Sequence, residues 1–421
     1  SEDLNFNIYN PIIFKIDDIK DDILKYNINL KKSSIIDFPR FDLGFQHFLH
    51  QDKKKMDEFE KFKDKKKVYF VLNEFERYID DEDNDIDNFS NKYFNIGKKP
   101  IILSRSFFKM WEMIFYFKLI DINDKKFSLI HVGDEISPFL QCITYFREEY
   151  CDNKNDIYHS YENLSKNEYE KKFVNNYNKK INFFKNITNL KLKNKVKLIV
   201  CNRGKEWTNR NIQEQHMFKI IIEQILLLKN LENGGDFILR VFETFTKVSC
   251  KLILLLKSLF KDIFIVKPLM SRKFSSEKFL VCKNFIGKNL DKTLEIIQKN
   301  IYDKIDNSEL ISDIFLDFNL NNFIDFKVSM ITINSKLSNH FLKNLNMIIS
   351  YLDGLNYHGD DYYNYKQEQI KASNFWINMF LPEKKNINNR IKNVFDLIDS
   401  KNNFINLLDY KKKLSNKLNF N

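Results

Sequence analysis

KVKLIVC (Lys195–Cys201), IQEQHMFKIIIEQILLLKNL (Ile212–Leu231) and DFILRVF (Asp236–Phe242) follow one another with a single polar break and one Gly-Gly pair. The outer two are short apolar runs of strand length. The middle one is long, with apolar residues at helical spacing. A strand, a helix and a second strand in this order predict a parallel pairing, because the crossover helix returns the chain to the same end of the sheet. Reading outward, Phe245–Phe260 predicts another helix, and Ile263–Val266 and Lys278–Cys282 two more strands. These last two have no helix between them, which predicts an antiparallel hairpin at one edge. Upstream, Arg105–Ile120 reads as a helix with Ser104 as its N-cap, Phe127–Val132 as a strand and Pro138–Tyr150 as a helix. Residues 150–194 are polar and rich in Tyr, Asn and Lys, and read as an excursion from the fold. The expected fold class is α/β.

The flanks differ in texture. Residues 1–98 mix a strand-like run (Val68–Leu72) with Lys clusters (Lys53–Lys55, Lys65–Lys67) and end in the acidic stretch IDDEDNDIDN from Ile79, which reads as a linker. Beyond residue 290 the chain is amphipathic helix interrupted by Asn-rich loops. The expected units are an N-terminal module (1–98), an α/β domain (99–290) and a C-terminal helical extension (291–421).

Composition narrows the function. The 421 residues include 41 Phe and 19 Tyr but nine Gly and six Pro, which excludes collagen-like, mucin-like and linker proteins. The net charge of +11 favours an anionic partner such as RNA. Part of that surplus belongs to a Lys/Asn/Ile/Phe bias of the kind an AT-rich genome writes. Five cysteines with no CxxC pair argue against a disulfide framework or a thiolate zinc site and for a reducing compartment. The polar start SEDLNFNIYN does not read as a signal peptide. Ile220–Leu228 and Leu252–Phe260 are broken by charge well short of the ~20 apolar residues a membrane span needs. The expected setting is the cytoplasm, away from membranes.

Three segments carry chemistry: SRSFFKMWE (Ser104–Glu112), GGDFILR (Gly234–Arg240) and KPLMSRKFSSE (Lys267–Glu277). In order and spacing the region 100–290 resembles the FtsJ-like RNA ribose 2′-O-methyltransferases, in particular the cap-1 enzymes of eukaryotes and large cytoplasmic DNA viruses. The resemblance implies a Rossmann-like, S-adenosylmethionine-dependent methyltransferase fold. It also implies a Lys–Asp–Lys–Glu tetrad that deprotonates a ribose 2′-hydroxyl as it attacks the methyl group.

Lys109 matches the first Lys and Glu277 the Glu. Asn202 aligns with the Asp, and Arg240 with the central Lys. Arg does not release its proton in proteins, so it can orient or neutralise but cannot act as the base. The family's cofactor loop aligns with Gly133-Asp-Glu-Ile-Ser-Pro-Phe139, where Ser137 and Pro138 replace glycines, Pro138 removes an N–H, and Asp134 keeps the acid of the pattern. The expectation is a methyltransferase relative whose catalytic and cofactor positions have degenerated, acting as an RNA-binding or structural subunit of a transcription, capping or virion assembly. The alternative is an active cap 2′-O-methyltransferase with a divergent cofactor loop. S-adenosylmethionine is the cofactor in the second case and absent in the first. The resemblance and the codon bias point to a cytoplasmic virus (its factory or virion) or an AT-rich protist.

Blander readings stand beside these. Arg105, Lys109 and Glu112, at i, i+4 and i+7, could share a solvated face. Glu277 could pair with Arg240 or Lys109 for structure alone. Arg240 could equally hold an RNA phosphate, and Asn202 could be a turn residue. Phe107 and Trp111 read as core, and so does His131. His47, His50 and Asp52 read as solvated, so no metal is expected. An active enzyme would need another lysine near Arg240, and Lys247 is the candidate close in sequence. Lys191–Lys197 and the N-terminal Lys clusters are candidates for an RNA path.

Overall fold

Alternation of buried apolar residues on both sides of each strand requires helices on both sheet faces. The computed structural model describes residues 9–34, 73–76, 102–134, 138–161, 167–206, 212–287, 290–306, 308–353 and 360–399. The strand-like run Val68–Leu72, the Lys clusters at 53–55 and 65–67, the acidic stretch from Ile79, His47, His50, Asp52 and Ser137 lie outside the described residues.

Among the described residues the sheet has eight strands: β1 (Ile12–Lys15), β3 (Ser128–Gly133), β4 (Ile157–Tyr161), β5 (Ile181–Phe184), β6 (Val196–Asn202), β7 (Leu231–Val241), β8 (Phe260–Lys267) and β9 (Lys278–Phe285), in the order β1-β8-β9-β7-β6-β3-β4-β5. Strands β3 to β7 are mutually parallel, while β9 runs antiparallel to both β7 and β8. This is a Rossmann-like methyltransferase fold.

One face of the sheet, with Leu129, Leu198, Val200 and Ile238, packs against helices α1 (Ser106–Phe117) and α2 (Pro138–Tyr150). The opposite face, with Ile130, Ile199, Phe237 and Leu239, packs against α4 (Ile212–Ile225) and α5 (Lys247–Leu259). A short α3 (Glu168–Asn176) lies between β4 and β5. The C-terminal part is helical: α6 (Leu290–Asn300), α7 (Ile324–Asp353), α8 (Asp360–Phe380) and α9 (Ile387–Asp399). It also holds a strand, β10 (Leu310–Ile314), which pairs with β2 (Leu30–Ser33). Among the described residues no helix is long and apolar enough to cross a membrane.

Several sequence expectations need correction. The 150–194 stretch is no excursion: it supplies β4 and β5, which complete one wing of the sheet. Their polarity is that of strands near an edge, and Ile157 is 44% exposed. The hairpin of β8 and β9 does exist, but its strands are not at the edge, because β1 pairs with β8 and closes that side. Ser104 is not the N-cap of α1. Arg105 takes that position without a side-chain cap bond, while Ser104 Oγ accepts from the Ser106 N–H at 3.3 Å.

Candidate active site

On α1, every residue from Phe107 to Phe117 is buried, the charged ones included. Arg105, Lys109 and Glu112 therefore share a buried face, not a solvated one, and each must be compensated. Arg105 donates to Glu76 and to the Met270 carbonyl. Glu112 accepts from the backbone N–H groups of Leu269 (2.7 Å) and Met270 (3.0 Å) and from Tyr116 OH (2.7 Å). Burial pushes its carboxyl up to about 7 against the pull of those donors. Phe107 and Trp111 are core: their rings stack at 5.8 Å, and Trp111 Nε1 donates to the Phe380 carbonyl at 2.6 Å.

Lys109 reaches Glu277, with Nζ 2.5 Å from Oε1. Alternation along β7 puts Arg240 on the same sheet face as Ile238, toward α1, and its guanidinium lies 3.6 Å from Glu277 Oε2. Arg240 also donates to the Gly204 carbonyl and packs 5.4 Å from the Phe242 ring. Asn202, largely buried at the end of β6, stands beside Gly133 and one step beyond the Cys201–Leu239 pair, which brings it abreast of Arg240. The structure thus gathers all four predicted tetrad positions at the C-terminal ends of β6 and β7. Burial alone would raise the Glu277 carboxyl. Lys109 first, then Arg240, overcome this and hold it down to about 2. Burial likewise lowers the Lys109 ammonium, which the same carboxylate opposes.

Lys247 does not join this group; its ammonium pairs with Asp313 at 3.3 Å. The second lysine here is Lys267, which opens the third motif. Its Nζ donates to Ser271 Oγ (3.2 Å) and to the carbonyls of Ser275 and Glu277 (2.8 Å each). Burial brings it down to about 7. All three of its bonds are turned to the loop that carries Glu277, so it pins that loop. Glu206 pins the loop from the other side, accepting from Ser275 Oγ (2.7 Å), Ser276 Oγ (2.6 Å) and the Ser276 N–H (2.9 Å).

Sequence reasoning missed Glu76. It is fully buried and receives Arg105 from α1, Arg272 from the β8–β9 loop (Nη2 to Oε1, 2.5 Å) and Asn73 Nδ2 (2.5 Å). The available signal was the repeated Ser-Arg pair, Ser104-Arg105 and Ser271-Arg272: two guanidiniums brought to one point require a carboxylate between them. His131 bonds Ser160 Oγ through Nδ1 at 2.9 Å and is fully buried, which lowers it to about 3, so it stays neutral. Among the described residues no group of His, Cys, Asp and Glu could hold a metal ion.

Of the cofactor-loop positions, Gly133, Asp134 and Pro138 are described. Gly133 is buried at the end of β3. Asp134 accepts from the Gly204 N–H at 2.9 Å and from Arg203 Nε at 3.4 Å. Pro138 begins α2 with no N–H to give. The acid of the set is thus engaged within the chain, and the first position of α2 gives no N–H to a ligand. Gly204 is itself constrained, at φ 95° with Met217 Sδ 2.2 Å from where a Cβ would stand. Gly204→Ala is expected to cost about 2 kcal/mol in urea unfolding, from left-handed backbone strain and overpacking.

The Lys191–Lys197 run lies at the opposite end of the sheet. It leads into the start of β6, whose seven residues separate it by roughly 20 Å from Asn202. Lys197 is paired with Asp124. This run does not line the tetrad.

The FtsJ-like methyltransferase family profile matches residues 102–285. The chain carries an FtsJ-like methyltransferase domain. A cap-specific mRNA (nucleoside-2′-O-)-methyltransferase 1 of Dictyostelium discoideum is 36% identical over 85 residues, covering 20% of this chain and 11% of that protein. The Trypanosoma cruzi protein of the same name is 36% identical over 104 residues, covering 24% and 29%. The Drosophila melanogaster one is 41% identical over 75 residues, covering 18% and 10%. The matched segments therefore span roughly a tenth to three tenths of these relatives. A putative ribosomal RNA methyltransferase structure from Plasmodium falciparum covers 44% of this chain and 99% of its own, at 18% identity and a TM-score of 0.32. Of the motif residues in that domain, Arg105 and Arg272 meet on Glu76, from outside the matched region, while Lys109 and Lys267 meet Glu277.

Proposed function

We propose that this cap methyltransferase-like protein keeps the FtsJ-like fold without its chemistry, and serves as an RNA-binding or structural subunit of a cytoplasmic transcription, capping or virion assembly. The observation that carries this is Arg240. Its guanidinium stands at the position of the family's central lysine, bonded to the Gly204 carbonyl and paired with Glu277. A guanidinium holds its proton at any working pH, so it cannot take one from a ribose hydroxyl. Burial lowers the Lys109 ammonium, but its Nζ is committed to Glu277 at 2.5 Å, which opposes that shift. Asp134 and Pro138 support the same reading from the cofactor side. The RNA partner rests on the names of the relatives and on the net charge of +11.

One observation favours the alternative, an active S-adenosylmethionine-dependent cap 2′-O-methyltransferase. Lys109 and Glu277 are kept, and a second buried lysine, Lys267, lies beside them at about 7. The two readings separate on RNA binding measured at rising salt, together with methyl transfer. The proposed reading expects affinity for capped RNA that falls steeply with salt and no methylated product. No RNA affinity at low salt would remove the RNA-binding half of the proposal.

A further inference from the structure

In a doubly wound sheet the ligand crevice opens outside the C-terminal strand ends, at the point where the strand order reverses. Here the chain runs from β3 out to β4 and β5, then returns through β6 toward β7, so the reversal lies between β3 and β6. The groups at those two strand ends are already joined to each other. Asp134, one residue past β3, accepts the Gly204 N–H at 2.9 Å and faces Arg203 Nε at 3.4 Å. Arg203, one residue past β6, also donates to Glu223 on α4 at 3.0 Å, and its guanidinium lies 5.5 Å from the Tyr161 ring at the end of β4.

The arrangement is anchored from further out. Glu223 accepts from Tyr302 OH at 2.7 Å, a residue that follows α6 and lies outside the FtsJ-like domain. On its other side Gly204 gives its carbonyl to Arg240. Three strand ends, α4 and the C-terminal part thus converge on one two-residue stretch, Arg203-Gly204.

We infer that Arg203, Gly204 and Asp134 form a latch that closes the β3–β6 crevice against a nucleoside-type cofactor. The inference deepens the non-catalytic reading and rests on it. That reading says the methyl donor is not used; the latch says why it does not enter. The chain's own carboxylate takes the backbone N–H and the guanidinium that a ligand's acceptor groups would need. The Arg203–Asp134 pair by itself is long, and Asp134 is 53% exposed, so that contact adds little. The hold comes from the Gly204 N–H bond and from the second anchor of Arg203 on Glu223. A crevice latched in most molecules lowers apparent ligand affinity by the fraction left open.

The test is calorimetric binding of S-adenosylmethionine and S-adenosylhomocysteine to the full chain and to Arg203→Ala and Asp134→Ala. These variants break the latch from opposite ends, and thermal unfolding of each establishes that it is folded. The expected result is no measurable binding by the native chain and a gain of roughly tenfold or more in affinity in both variants. Native binding as tight as that of the variants would overturn the latch, and so would folded variants that still bind nothing. Should Arg203→Ala fail to fold, Asp134→Ala, with its half-exposed side chain, decides alone. Native cofactor binding without transfer to RNA would sink the latch and leave the non-catalytic reading intact. Methyl transfer by the native chain would sink the reading itself.

Discussion

Glu277→Gln is expected to lower the unfolding free energy at pH 7 by about 3–5 kcal/mol, the usual cost of leaving a buried charge uncompensated. Two cations meet this one carboxylate: Lys109 at 2.5 Å and Arg240 at 3.6 Å. All three side chains are largely buried, so water cannot take over the missing charge. The amide keeps the shape of the side chain, removes its charge and turns one acceptor oxygen into a donor. Acid should act in the same direction. Glu277 is held down to about 2 in the folded chain, against about 4.3 for an unperturbed Glu. Its contribution is therefore complete above the unfolded value and disappears as pH falls from about 4.3 toward 2. Urea unfolding at pH 5 and pH 3 should show native stability dropping by about 2 kcal/mol more than that of Glu277→Gln. Equal drops in the two proteins would mean that Glu277 is not the acid-sensitive partner of Lys109 and Arg240.

The second large effect is expected at Glu76. Glu76→Gln should cost about 3–5 kcal/mol, because it strands Arg105, which is buried, and Arg272 at once. The consequence reaches the site, since Arg105 also holds the Met270 carbonyl in the loop that leads to Glu277. Adding Arg105→Met to Glu76→Gln should recover part of the loss, because an apolar side chain of similar length removes the uncompensated guanidinium. Urea titrations of the two single variants and the double variant measure this. A double variant as unstable as the sum of its parts would show that Glu76 and Arg105 do not act as a pair.

The difference between what was readable and what was not has physical causes. Strands β6 and β7 and helices α1, α2 and α5 were legible because buried parallel strands and two-sided helices leave long apolar signals. Strands β4 and β5 were not, because strands toward a sheet edge carry polar residues that read as loop. Lys109, Arg240 and Glu277 were legible as positions through the resemblance, and the structure brings them together. Lys267 was in plain view within the third motif. Its role depends on a loop folding back over its Nζ, and no spacing rule reports that. Glu76 lies far from every motif and became visible only when α1 and the β8–β9 loop were seen to present two arginines to one point. Lys247 shows the reverse error: it is close to Arg240 in sequence, but the N-terminal turn of α5 carries it to Asp313.

The most direct measurement is transfer of a labelled methyl group from S-adenosylmethionine to capped RNA by the full chain, with Lys109→Ala run beside it. The account predicts no product from either protein while the native chain binds the same RNA in a salt-sensitive way. Product from the native chain that disappears in Lys109→Ala would contradict it, and would show that a methyltransferase can work with Arg240 at the position of the central lysine.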